Sequence, residues 1–180
     1  MPDHTPQPVE TRVFEAPFGP VRVTELAVEH PSHADSGALS VPYLKRDDGK
    51  LSAVREFPEV VRSGSYGRLG TWAIDERFGT LPVIVTEGGG TWQGQTCLWT
   101  TITELRPAGP VELITFQQSL ATDGFPDGTP QDIAGTIAAI ERDREFTVRF
   151  VGTREFEATY RRQGDRYVLQ GGDDRALHGC

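Results

Sequence analysis

Glu25 follows Val21 and Val23 at alternate positions, and Glu87 follows Val83 and Val85 in the same way. Alternate side chains of an extended strand share a face, so each carboxylate points to the side that carries the valines. A carboxylate drawn into an apolar interior is desolvated, which favours its protonated form and makes it a candidate general acid or base. The plainer roles are a strand end for Glu87, at the glycine turn 88–90, and a bulge that swings Glu25 outward. Tyr66, in SGSYGRLG, is the third catalytic candidate, a hydrogen-bond donor on a glycine-rich loop; packing on a rim is its plainer role.

The polar lining is neutral. From Gly88 to Thr103 sixteen consecutive residues, GGGTWQGQTCLWTTIT, carry no charge, in a chain of which 24% is charged. A strand with one face in water normally places charges there. This stretch is therefore covered on both faces, lines an enclosed cavity, or meets a partner. Alternation puts Cys97, Trp99, Thr101 and Thr103 on one face, and Leu113, Thr115 and Gln117 on one face of the next strand. Trp, Thr and Gln together join apolar area to a few neutral hydrogen-bonding groups, the make-up of a small-molecule pocket. The ligand-binding candidates are Trp72, Trp92, Gln93, Gln95, Trp99, Thr101, Thr115 and Gln117, for an apolar small molecule. An ordinary central strand is the competing reading.

These residues need strands to hold them. TRVFEA and VRVTELAVE flank the breaker FGP and read as a hairpin, Thr11–Ala16 with Val21–Glu29. HPSHADSGALS, residues 30–40, has no period and reads as loop. VPYLKR and LSAVREF flank Asp47-Asp48-Gly49-Lys50, which is hairpin chemistry; a short helix over Leu51–Phe57 competes, because Leu51, Val54 and Phe57 fall at helical spacing. Strands follow at Thr71–Asp75, LPVIVTE, the run ending at Leu105, and VELITFQQSLAT, before the breaker loop 123–130. IAGTIAAIERD, 133–143, fits strand or helix, and its neighbours tip it to strand. In the last strands Phe146, Val148, Phe150, Phe156, Ala158 and Tyr160 alternate with Glu, Thr and Arg, so these six are expected inward. Nine or ten antiparallel strands and at most one short helix close into a barrel or pack as two sheets; the expectation is an all-β antiparallel barrel.

At 180 residues the chain suits one domain with its own core. The expected organisation is a flexible N-terminal tail over 1–10, a single β-barrel domain over 11–172 and a C-terminal tail over 173–180. With 26 acids against 18 bases, nucleic acid and anionic membranes are unsuitable partners. No signal peptide or apolar span is legible, so the chain reads as cytoplasmic. The two cysteines, Cys97 and Cys180, read as a buried thiol and a tail thiol, with a bridge between them as the alternative. His30, His33 and Asp35 have chelating spacing in a stretch of loop composition without further ligands, and His4 and His178 sit in tails; no metal or cofactor is expected.

Gly-Thr-Trp occurs at Gly70–Trp72 and again at Gly90–Trp92. The Gly-x-Trp pattern resembles the one that opens the first strand of lipocalins. Both copies lie well inside this chain, and Thr122-Asp123 is followed by Gly124 where the second lipocalin motif needs Tyr, so only lipocalin-like barrel architecture carries over. A neutral aromatic lumen is also similar to that of allene oxide cyclases, which fold a flexible apolar substrate by shape and orientation. The resemblance is one of architecture. It implies a cofactor-independent cyclase or isomerase; the alternatives are a non-catalytic carrier of an apolar ligand and an acidic interaction or inhibitor protein, with a homo-oligomer compatible with each.

Overall fold

The computed structural model describes residues 6–124, 128–172 and Leu177. Six strands form one antiparallel sheet: β1 (Pro6–Ala16), β2 (Gly19–Val28), β3 (Gly37–Ser40), β4 (Tyr43–Asp47), β5 (Lys50–Arg55) and β6 (Val61–Ser63). β2 is its centre, with β1 along one side and β3 and β4 sharing the other. Eight more strands form a meander in chain order: β7 (Thr71–Asp75), β8 (Val83–Trp92), β9 (Gln95–Arg106), β10 (Gly109–Thr122), β11 (Gln131–Glu141), β12 (Glu145–Gly152), β13 (Phe156–Gln163) and β14 (Arg166–Gly172).

The meander is forked. β10 and β11 pair only where Ser119–Thr122 meets residues 131–134, although each follows its other neighbour along most of its length. Two leaves, β7–β10 and β11–β14, therefore diverge from one short ladder like the covers of a book. Apolar residues of both leaves fill the space between them: Ile102, Leu113 and Phe116 from the first, Phe146, Val148 and Tyr160 from the second. The Phe116 ring lies 5.8 Å from Phe146 and 5.4 Å from Tyr160. The opposite face of the first leaf carries Trp72, Ile84 and Leu105, which pack on Val21, Val23, Leu39 and Tyr43 of the six-stranded sheet. The first leaf is thus the middle of three β-layers. This explains the last four residues of the uncharged run, since Thr100–Leu105 of β9 is buried at every residue and has no face on which a charge could be hydrated; its one carboxylate, Glu104, is paired with Arg162 instead.

The chain is all-β and antiparallel, with no helix among the described residues. Strand pairing does not show the expected closed barrel: β7 and β14 end the path of the meander, each paired on one side only. Among the described residues fourteen strands replace the expected nine or ten, partly because β3 and β6 are too short to display a period. β3 lies within the stretch read as loop, and β5 takes the place of the helical alternative over Leu51–Phe57. β1 starts at Pro6, paired with Val28, so residues 6–10 are strand where composition suggests a loose tail. Leu177 is buried in the core between the leaves. Five of the six residues expected inward on β12 and β13 are fully buried there, and Phe156 packs against them half-buried.

Cys97 is disulfide-bonded, which corrects its reading as a free buried thiol. Cys180, the other cysteine of the sequence, lies outside the described residues, as do His4, His178 and 125–127 of the breaker loop. Reduction is expected to lower stability by about 2–5 kcal/mol. The check is the urea midpoint with and without reductant, and coincident curves refute it.

Candidate functional site

The registers of β7, β8, β9 and β10 align Thr71, Glu87, Thr100 and Phe116 in one row. Directly opposed residues of paired strands share a face, and Phe116 shows that this row faces the second leaf. The neighbouring row, Trp72, Thr86, Thr101 and Thr115, lies on the other face, where Trp72 packs against the six-stranded sheet.

Gln118 joins the first row through a bulge. Gln117 pairs with Trp99 and Ser119 with Leu98, so Gln118 is an extra residue without a partner in β9. A bulge re-aims the side chain it carries. The Gln118 Nε2 donates to Glu87 Oε1 at 2.9 Å and to the Gly135 carbonyl at 3.2 Å. Its Oε1 accepts from the Thr100 hydroxyl. Thr71 Oγ1 donates to Glu87 Oε2 at 2.9 Å. Each Glu87 oxygen thus accepts from one neutral donor, and the Gln118 amide cannot flip without losing these partners. Gln118 also sits where the β10–β11 ladder stops, and its amide satisfies a carbonyl just past the fork.

A cavity of about 180 Å³ opens there, lined by Glu87, Thr100, Gln118 and Gly135, with Phe116, Ile137 and Val148 as apolar wall. Gly135 is required by close approach, because a Cβ on it would stand 2.5 Å from the Phe150 ring. Ile137 also borders a wider groove of about 600 Å³, with Ala73 and Val85 on the facing leaf. Asp75 and Arg77 stand at that groove, joined by a 2.6 Å ion pair. Burial would raise the Asp75 carboxyl, but donation from Arg77 outweighs it and holds the group below its usual range.

The other sequence candidates are dispersed. Glu25 is buried on the inward face of β2, opposite Glu10 and Leu39 and beside Val21 and Val23, so it faces a different core from Glu87. Trp72 is a core residue whose indole lies under the Arg12 guanidinium, 4.6 Å from the ring centre. Thr101 and Thr115 bond to each other at 2.8 Å. Gln117 donates to the Ser119 carbonyl at 3.2 Å and approaches Cys97 Sγ at 3.5 Å. Trp99 opposes Gln117 and is 36% exposed. Trp92, Gln93 and Gln95 lie at the β8–β9 turn, and Tyr66 is 59% exposed on its loop.

The chain matches no protein-family model, no curated protein and no solved structure. The cavity at the fork must therefore be read from its own chemistry. Thr71, Thr100 and Gln118 were missed as site residues. Register would have found the two threonines, once Glu87 was taken as the anchor; nothing in the sequence marks position 118 as bulged.

Proposed function

We propose that the protein binds a small molecule at the fork, with Glu87 as the polar anchor. The observation that carries this is the pairing of a carboxylate with an apolar cavity wall. Both Glu87 oxygens are held by neutral donors, which orient the charge without neutralising it. Such a group favours a hydroxyl or ammonium and repels an anion. A cavity of about 150 Å³ accepts benzene, so 180 Å³ suits a single-ring molecule whose remainder extends along the groove. The space between the leaves takes the place of the expected barrel lumen, and Phe116, Phe146, Phe150 and Tyr160 are buried in it. That packing favours a carrier or sensor over a cyclase that folds a long substrate. Turnover of isomerase type would use Glu87 as general base.

Benzyl alcohol, benzylamine and benzoate, titrated by NMR, test the reading. The alcohol and the amine are expected to shift signals around Glu87, and benzoate is not. Glu87→Gln should weaken benzylamine about tenfold or more, the loss of one charge-assisted hydrogen bond. Equal affinity in the two proteins would refute the anchor.

No helix among the described residues is long and apolar enough to cross a membrane. The disulfide at Cys97 favours an oxidising compartment over the cytoplasm expected from the sequence.

A further inference from the structure

We propose that the tip of the β8–β9 hairpin, with the two loops beside it, is a separate binding site for a neutral carbohydrate. His33 stands at its centre, its ring 5.1 Å from Tyr66 and 5.6 Å from Trp92, edge-to-face with both. Its Nε2 lies 2.9 Å from the Thr91 carbonyl, which ties the 30–35 loop to the hairpin. The Tyr66 loop is tied to the same segment: Tyr66 N donates to the His33 carbonyl and Gly67 N to that of Asp35, at 3.4 and 2.7 Å. Tyr66–Gly67 and Gln93–Gly94 each form a two-residue turn with both residues at positive φ, closed by the pairs Ser65–Arg68 and Trp92–Gln95. Tight turns and backbone bonds thus fix rings that stay in water, Tyr66 at 59% and Trp92 at 46% exposure. The Trp92 ring is backed by Gly90, whose Cβ, if present, would meet it at 2.6 Å.

The chemistry of the shelf selects its occupant. Aromatic faces accept the C–H face of a pyranose, while its hydroxyls need neutral hydrogen-bonding groups. Gln95, the ladder partner of Trp92 and on its face, and Gln93 at the turn supply them. No residue from Gly88 to Thr103 is ionised, so a charged partner finds no counter-charge on the hairpin. Asp35 in the adjoining loop and Asp123 beside Gly94 flank the shelf, and with a net charge of −8 they disfavour acidic sugars.

Tryptophan fluorescence and NMR titrations with cellohexaose, xylohexaose, maltohexaose and chitohexaose test this on the whole chain. At least one should bind with Kd of about 1 mM or tighter, and Trp92→Ala and Tyr66→Ala should each weaken it about tenfold. Glu87→Gln and saturating benzyl alcohol should leave it unchanged, which separates this site from the fork. No binding of any of the four, or equal binding by Trp92→Ala, overturns the proposal. So does concentration-dependent dimerisation that Trp92→Ala abolishes, because the shelf would then face a second copy.

Discussion

Phe146→Ala is expected to lower unfolding free energy by about 3–5 kcal/mol, the range for a fully buried Phe. Phe146 is, with Tyr160, one of the rings through which the two leaves of the meander touch. It lies 5.0 Å from Tyr160 and from Tyr167 on its own leaf, 5.8 Å from Phe116 on the other, and 5.6 Å from Phe78 in the β7–β8 connection. Truncation removes all four contacts together, and two sheets hinged at one short ladder cannot close evenly on the hole. Phe156, half-buried and stacked on Phe150 at 4.5 Å, is the comparison and should cost less. Urea unfolding measures both. A loss below about 1 kcal/mol at Phe146, the range of surface changes, would show that the leaves are not packed there.

The same alternation that made β12 and β13 legible misled on β10. Phe146, Val148 and Phe150 read as an inward face because that strand keeps period two without interruption, and its partner β13 keeps register with it throughout. β10 contains two irregularities, between Glu112 and Ile114 and between Gln117 and Ser119. Each extra residue reverses the faces of the residues after it. Leu113, assigned to the face of Thr115 and Gln117, is instead buried with the core between the leaves. Gln118, by contrast, lies where alternation puts it, on the face of Phe116 and opposite Gln117, and its side chain reaches Glu87. Glu87 itself was legible because β8 runs unbroken from Val83, and its register with β7 and β9 has no slip.

The uncharged run was legible as a region and ambiguous in meaning. Its last four residues, Thr100–Thr103, belong to the covered strand of a middle layer, a role that needs two sheets packed on it and so depends on residues far away in sequence. Thr91–Gly94, Leu98 and Trp99, by contrast, are exposed. No local pattern distinguishes the covered part from the exposed part, since neither carries a charge. The layer arrangement was hidden for a similar cause: β10 and β11 separate after a four-residue ladder, and sequence proximity alone makes them look like ordinary meander neighbours.

Glu104→Gln is expected to destabilise the protein by about 3–5 kcal/mol, because it leaves a buried cation without its carboxylate. Glu104, on β9, has a side chain only 5% exposed, and it takes both terminal nitrogens of Arg162 on β13, at 2.7 and 2.9 Å. Arg106 adds a third bond at 2.6 Å and also reaches Asp165, beyond β13. The Arg106 carbonyl accepts from Tyr43 of the six-stranded sheet at 2.7 Å, so one cluster connects all three layers. Burial alone would raise the Glu104 carboxyl; donation from Arg162 and Arg106 outweighs it and holds the group below its usual value of 4.5. A carboxyl depressed in the folded state favours folding fully above its unfolded value, and that contribution is lost as pH falls through the folded one. The native protein should therefore lose stability on acidification below about pH 4.5, and Glu104→Gln should flatten that limb while lowering the neutral plateau. Glu104→Leu with Arg162→Leu removes both charges and should recover much of the loss, since an apolar pair of similar volume is often tolerated in place of a buried ion pair. Urea midpoints from about pH 3 to 7 measure all three proteins. A Glu104→Gln curve parallel to that of the native protein would mean that the Glu104–Arg162 pair does not set the acid response. A double variant no more stable than Glu104→Gln would mean that the layers need the charges themselves, and not merely a filled and satisfied contact.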